Sequence, residues 1–542
     1  MVQHHPAPQF GKASPDRTRK NDATIHLCAA AYLDREFRES VIEKVCARRD
    51  QAIAPNPGTD AVPVIRHVHR ARILDIAEQS LLAAMLVAFL LTPAVDDLSL
   101  LICLGAWLLV GLKARKIGNE LKISSNQRRI DTSPLLKKIK SKLTVPKAAF
   151  IALALGAYLW IDIRTSGTPI WIWLAALAVC TAGFEMARMY HLTRIPSEPE
   201  PGRPPRGRLA YIGAAQRSQV ITYSPGESEF VGFGNHITTH PLPLPLHAKE
   251  PNGKSPPTLD IADLNRHLKA RIEALSDDSP ATRGLPDLEV SDQLFVSGRA
   301  ITRPVLDIAG LPASEFDLRS IEDVLDAPAS PVRHRIRCQV SCLGGEVVTT
   351  GFIHLALQGE TLYIEYASYW LPMTKRDYHV FRDGAVQRMR AMLWCGGLAV
   401  ATAPIEVLRS PYDSVVNAWR GVLNASRGRP KLKGWRPPDW GPETSVRQLG
   451  CDLDDFTSYP REAVKYSLIL EHQTLEALSD FLDERGIDTS ALNDRITAIV
   501  HNQGVINYGE LSAGAVGTGA TATTGAVGPG STGAVQQPMA KG

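Results

Sequence analysis

The chain has 542 residues, with 60 Lys and Arg against 56 Asp and Glu and a formal net charge of +4. On a chain this size that balance excludes net charge as a pointer to a partner, so any basicity that matters is local. The eight cysteines exclude a zinc ribbon: Cys338-x-x-x-Cys342 stands alone and no pair has metal-ligand spacing, so reduced thiols are expected.

The first 25 residues carry no apolar core of a signal peptide. Within the N-terminal flank, residues 1–75, Ile25, Cys28, Tyr32, Phe37, Val41 and Val45 recur at helical spacing and predict an amphipathic helix over 25–46. Residues 51–62, with Pro55 and Pro57, read as a linker.

Residues 76–190 alternate apolar runs with charged connections. The runs, about 78–95, 98–113, 147–163 and 169–187, predict four transmembrane helices in two hairpins. A run of about 15 residues rises only roughly 22 Å, so each pass borrows flanking residues to cross the bilayer. The loop 113–147 holds eleven Lys and Arg against two acids. By the positive-inside rule it faces the cytoplasm with both termini, which predicts a multi-pass protein of the plasma or inner membrane. Lipid is then the expected partner, with anionic headgroups at loop 113–147. That loop lacks interleaved aromatics, so no nucleic acid is expected.

Residues 195–208 are rich in Pro and Arg and read as a stalk. From 209 to 502 the pattern predicts a cytoplasmic α+β domain, with strands at 209–214, 218–223 and 229–233. Pro241–Pro257 is expected to break regular structure, and a helix to follow at 259–275. The strongest strand signal is 335–371, three alternating segments joined by Gly344-Gly345 and by Gln358-Gly359-Glu360. Helices are expected at 383–400, 412–426, 461–485 and 490–502. With strands grouped before helices, a parallel doubly wound sheet is not expected.

Chemistry-bearing motifs are sparse. Gly232-Phe233-Gly234 lacks a third glycine and reads as a tight turn. His236 and His240 have metalloprotease spacing but no glutamate between them, and Pro241 follows; neither a metal nor a cofactor is expected. With Glu227 and Glu229 they mark the one stretch where a pocket would be sought, although no partner base identifies a reaction.

From Gly504 the sequence turns to Gly, Ala and Thr, and residues 503–542 read as a disordered tail. Within it Ile506-Asn507-Tyr508-Gly509 resembles the tetrad of RHIM-like motifs, including those of bacterial amyloid-signalling proteins. The resemblance covers about a dozen residues, with Asn507 in place of Gln. It implies a laddered Asn507 amide, with Ile506 and Tyr508 zipped between sheets, and self-association or a partner protein engaged through the tail. The overall layout resembles bacterial multi-pass membrane proteins that carry a cytoplasmic domain, a likeness that implies no activity. The leading expectation is a membrane-anchored binding, signalling or scaffold module. The alternatives are an enzyme at the cytoplasmic membrane face and an oligomerising channel.

Overall fold

The computed structural model describes residues 22–48, 51–90, 170–195, 204–226, 228–249, 259–277, 285, 287–299, 324–325, 332–380, 412, 415–416, 419, 439–453 and 461–501. The chain divides into two compact units, one of Met1–Asp50, Asp60–Gly213 and Thr374–Lys431, the other of Gln51–Thr59, Ala214–Met373 and Leu432–Gly542.

Among the described residues the first unit is helical. Where one helix is expected over 25–46, the chain makes α1 (Asp22–Leu33), α2 (Arg35–Val41) and a π-helical turn, Ile42–Cys46. The break falls at Asp34, whose extended backbone starts α2 and whose carboxylate accepts the Phe37 N–H at 3.1 Å. An acid of this kind caps a new helix more readily than it continues an old one. The helices α3 (Ala61–Leu90) and α4 (Ile170–Arg194) are long, and α5 (Arg208–Ala215) is short. Small residues of α1 (Ala23, Ala30, Ala31) are fully buried, as are Val64, Val68 and Ala71 of α3, which lets the two helices approach closely.

The expectation of four transmembrane helices, and with it a multi-pass protein of the cell membrane with both termini cytoplasmic, is overturned. Among the described residues no helix is long and apolar enough to cross a membrane. The reason lies in where the helices begin and end. Because α3 starts at Ala61, Arg66, Arg70, Arg72, Asp75 and Glu78 share one helix with the apolar run after Leu81. Behind its own run, α4 carries Glu185, Arg188 and Arg194. Arg188 then pairs with Asp75 at 2.9 Å, with Glu78 and with Glu185, so the charges join α3 to α4. The expected runs at 98–113 and 147–163, and loop 113–147 with its expected headgroup contacts, lie outside the described residues.

The second unit is α+β, built on a six-stranded mixed sheet. Its strands are β1 (Val220–Tyr223), β2 (Asn235–Pro245), β3 (Glu289–Ser297), β4 (Val332–Cys342), β5 (Val347–Gln358) and β6 (Thr361–Leu371). Their order is β1-β3-β4-β5-β6-β2, with only β1 and β3 parallel. The three strands at 335–371 form the central meander β4-β5-β6. Two other expectations fail locally. Residues 208–215 are helical, because a short apolar run cannot be assigned to strand or helix by periodicity alone. The stretch 229–233 is a turn, with Gly232 and Gly234 at φ of 97° and 86°.

Pro241, Pro243 and Pro245 do not end regular structure; they lie in the edge strand β2, alternating with Leu242 and Leu244. Alternate residues of an edge strand turn their N–H groups away from the sheet, and a proline there loses no ladder bond while it blocks pairing with another chain.

One face of the sheet packs on α6 (Ile261–Asp277) and α8 (Arg461–Glu484), with α9 (Ser490–His501) following; a single turn, α7 (Val446–Leu449), precedes α8. Ile336, Cys338, Val340, Ile353 and Ile364 meet Leu264, Leu268, Leu478 and Phe481 there. Each such side chain contributes about 1.5–3 kcal/mol by leaving water. The opposite face carries an aromatic cluster: Phe230, Phe233, Phe295, Phe352 and Tyr369.

Candidate functional site

The charged residues of β4 alternate. Arg333, Arg335 and Arg337 share the aromatic face, while His334 and Ile336 turn to the helices. The register sets Arg335 opposite Gln293 of β3 and brings His354 of β5 opposite Glu365 of β6. A polar row therefore crosses the middle of the sheet, held under the loop that carries Glu229 and Phe230.

At the centre of the row, Arg335 is 2% exposed. Its guanidinium donates to Glu365 at 2.8 Å and to Glu229 at 3.3 Å, and lies 5.0 Å from the Phe230 ring and 5.7 Å from Phe295. Arg333 donates to the second oxygen of Glu229 at 2.9 Å. Burying a guanidinium is costly unless carboxylates and acceptors surround it, and here two carboxylates from two elements do so. The two neighbouring rings add cation–π attraction.

His354 sits 2.8 Å through Nδ1 from the backbone carbonyl of His334. A carbonyl can only accept, so Nδ1 carries the proton and Nε2 keeps a lone pair. Burial, together with the Arg335 charge, holds the imidazole below its ordinary pKa and hence neutral. Burial pushes the Tyr369 hydroxyl up to about 12.

On the helix-covered face, His334 pairs with Asp292 at 3.0 Å and Lys269 of α6 with the same carboxylate at 2.7 Å. The His334 hydrogen bond, and then that of Lys269, hold Asp292 down at about 2 against the opposing effect of burial.

The residues picked from sequence do not converge. Glu229 joins the arginine row, and Glu227 lies outside the described residues. His236 and His240, which a regular strand would place on the same face, lie on opposite faces, because the register shifts between His236 and Thr238. His236 stands edge-on to Tyr369 at 5.3 Å, and His240 crosses to Glu471 of α8 at 2.8 Å. The metalloprotease spacing thus brings no two imidazoles together. The tail residues Ile506, Asn507, Tyr508 and Gly509 lie outside the described residues. Arg335, His354 and Glu365 were missed, although one signal was available: charges at every second residue of an otherwise apolar strand mark a polar row on one face.

Chemically the row is balanced. Two cations meet two carboxylates, so it draws neither an anion nor a cation by net charge. His354 is a single imidazole, and the neighbouring carboxylates are committed to arginines; this is no ligand set for a metal. A groove of about 690 Å³ opens elsewhere in this unit between α6, α8 and the start of α9. It is braced by Lys249 on Asp483 at 2.5 Å and by Arg271 on Asp480 at 3.1 Å.

Neither the curated proteins nor the solved structures contain a match to the chain. The family model described as AbeC-like domain matches residues 239–516, which take in β2 from Thr239, the rest of the sheet except β1, the helices α6, α8 and α9, and the tetrad 506–509. Since that match spans more than half of the 542 residues, the chain belongs to the AbeC-like domain family.

Proposed function

We propose that the chain is a binding or scaffold protein in which the sheet serves as frame rather than catalyst. One observation carries this reading: Glu229, Arg333, Arg335 and Glu365 neutralise one another within the row, and His354 is tied to a backbone carbonyl. Groups tuned for chemistry are held in settings that cost stability, so replacing them commonly raises it. Groups that tie a loop to a sheet behave in the opposite way.

Thermal unfolding of Glu229→Gln, Glu365→Gln and His354→Ala separates the two. Frame elements lower Tm in all three variants, by about 2–4 °C for each kcal/mol lost. A Tm that holds or rises in His354→Ala and Glu365→Gln marks a functional pocket and overturns the reading in favour of an acid–base enzyme.

The contact itself is assigned to the tail. Ile506-Asn507-Tyr508-Gly509 falls inside the segment matched by the family model, which favours a role shared with the folded part. Self-association through stacked Asn507 amides follows from the cross-β geometry that such a tetrad suits. A peptide of residues 500–520 then forms dye-binding fibrils that Gly509→Pro abolishes; a peptide that stays soluble and dye-negative ends this part of the proposal.

A further inference from the structure

Glu229 holds two arginines as a ligand would. Each of its carboxylate oxygens accepts from a different guanidinium, Arg333 at 2.9 Å and Arg335 at 3.3 Å, so the O–C–O unit bridges two cations that β4 presents on one face. Carboxylates and phosphates both offer such an oxygen pair, and arginine is the side chain that matches it. The two arginines differ in access. Arg335 is buried and anchored from within by Glu365 at 2.8 Å, whereas the Arg333 side chain is 51% exposed and opens the site to solvent. Burial, and then the Glu229 charge, raise the pKa of the Tyr223 hydroxyl of β1, which stays a neutral donor within reach of all three charges.

Glu229 is the replaceable member. Its bond to Arg335 is longer than the roughly 2.7–2.9 Å of a strong charge-assisted pair, and its bond to Arg333 lies near the surface, where ion pairs contribute little. The Arg335 guanidinium is not saturated either: among the described residues its enclosed Nε has no hydrogen-bond partner. Phe230, buried in the aromatic cluster, fixes the loop, so the Glu229 side chain, 26% exposed, turns into water by rotation about its own bonds. Arg333 and Arg335 then face Glu365 alone, and the row gains one surplus positive charge. Both arginines and Glu365 lie within the segment matched by the family model, and Glu229 lies before it. We infer that Arg333 and Arg335 form an oxyanion site that Glu229 fills from within the chain, and that the carboxylate or phosphate group of a ligand displaces it. The inference rests on the reading of the chain as a binding protein and names the class of its ligand.

The test titrates the full-length chain and its Glu229→Ala variant with inorganic phosphate and with acetate, at an ionic strength held constant with sodium chloride. Calorimetry is expected to show binding to Glu229→Ala on the order of ten-fold or more tighter than to the unaltered chain, because the tethered competitor is gone. The double variant Glu229→Ala/Arg333→Gln is expected to lose it. Phosphate should also raise the Tm of Glu229→Ala, where chloride of equal ionic strength does not. Glu229→Gln, which keeps the volume and removes the charge, serves if Glu229→Ala does not fold. The tighter of the two anions identifies the ligand group as phosphate or carboxylate. Absence of binding by both anions, equal affinity in the unaltered chain and the variants, binding that survives the loss of Arg333, or an equal Tm rise with chloride would each overturn the inference. The scaffold reading is tested apart from these results, by the Tm of His354→Ala and Glu365→Gln without added anion.

Discussion

In the sheet unit, Arg333 and Arg335 face Glu229 and Glu365, two cations against two carboxylates. In the helical unit, Arg38 and Arg188 face Asp75, Glu78 and Glu185, two against three. The surplus carboxylate matters because it is buried: desolvation pushes Glu78 up to about 7, against the pull of Arg188. Burial alone would lower the Arg188 guanidinium, but its three carboxylates raise it instead. The sheet unit shows the reverse case in Asp292, which accepts hydrogen bonds from His334 and Lys269 and is held at about 2. A buried carboxylate thus stays charged or takes a proton according to how many hydrogen-bond donors and cations surround it.

The comparison breaks first at Arg335. Arg335→Ala leaves Glu229 and Glu365 without their shared partner, and the expected loss is about 3–5 kcal/mol in denaturant unfolding followed at the sheet. A loss below about 1 kcal/mol would mean that the row contributes little to the frame.

Glu78 sharpens the comparison through pH. Its folded pKa lies above the ordinary 4.5, so the folded form holds the proton and helical-unit stability falls as pH rises from about 4.5 to 7. In Glu78→Gln that slope, worth about 2 kcal/mol, should disappear in hydrogen exchange of α3 peptides between pH 5 and 8.

Asp292 has the opposite sign. Its contribution is complete above its ordinary value of 3.8 and is lost as pH falls through about 2. In Asp292→Asn the acid limb of sheet-unit unfolding should flatten by about 1–2 kcal/mol, with no change near neutrality in its pH slope.

The smallest effect is expected at Arg35 and Glu39 of α2, an exposed pair 2.8 Å apart. Glu39→Gln should alter stability by no more than about 0.5 kcal/mol, and a larger loss would show that surface pairs in the helical unit behave like its buried ones.

What was legible in the sequence was local. The hairpins over 335–371 declare themselves through alternation and through glycines at the turns; Gly344 and Gly359 adopt φ of 66° and 63° there. The stripe of α8 is legible in Val464, Leu475, Leu478 and Leu482, all buried, although Leu468 at the same spacing is 40% exposed. Proline misled the reading at β2, because proline breaks an interior strand but suits alternate positions of an edge, and edge position is a property of the whole sheet. Glu229 was found and Arg335 was not. A carboxylate beside a glycine turn attracts attention, whereas an arginine within a strand looks like solvent-facing alternation until the loop above it is placed.

Periodicity along the chain decided which residues make strands and helices, because pleat and helical repeat act over a few neighbours. Which carboxylates surround Arg188 and Arg335, and on which side of β2 each histidine lies, were decided only in three dimensions. Those outcomes depend on partners distant in the chain, Asp75 for Arg188 and Glu229 and Glu365 for Arg335, and, at His236, on one extra residue in a strand that turns the side chains after it to the other face.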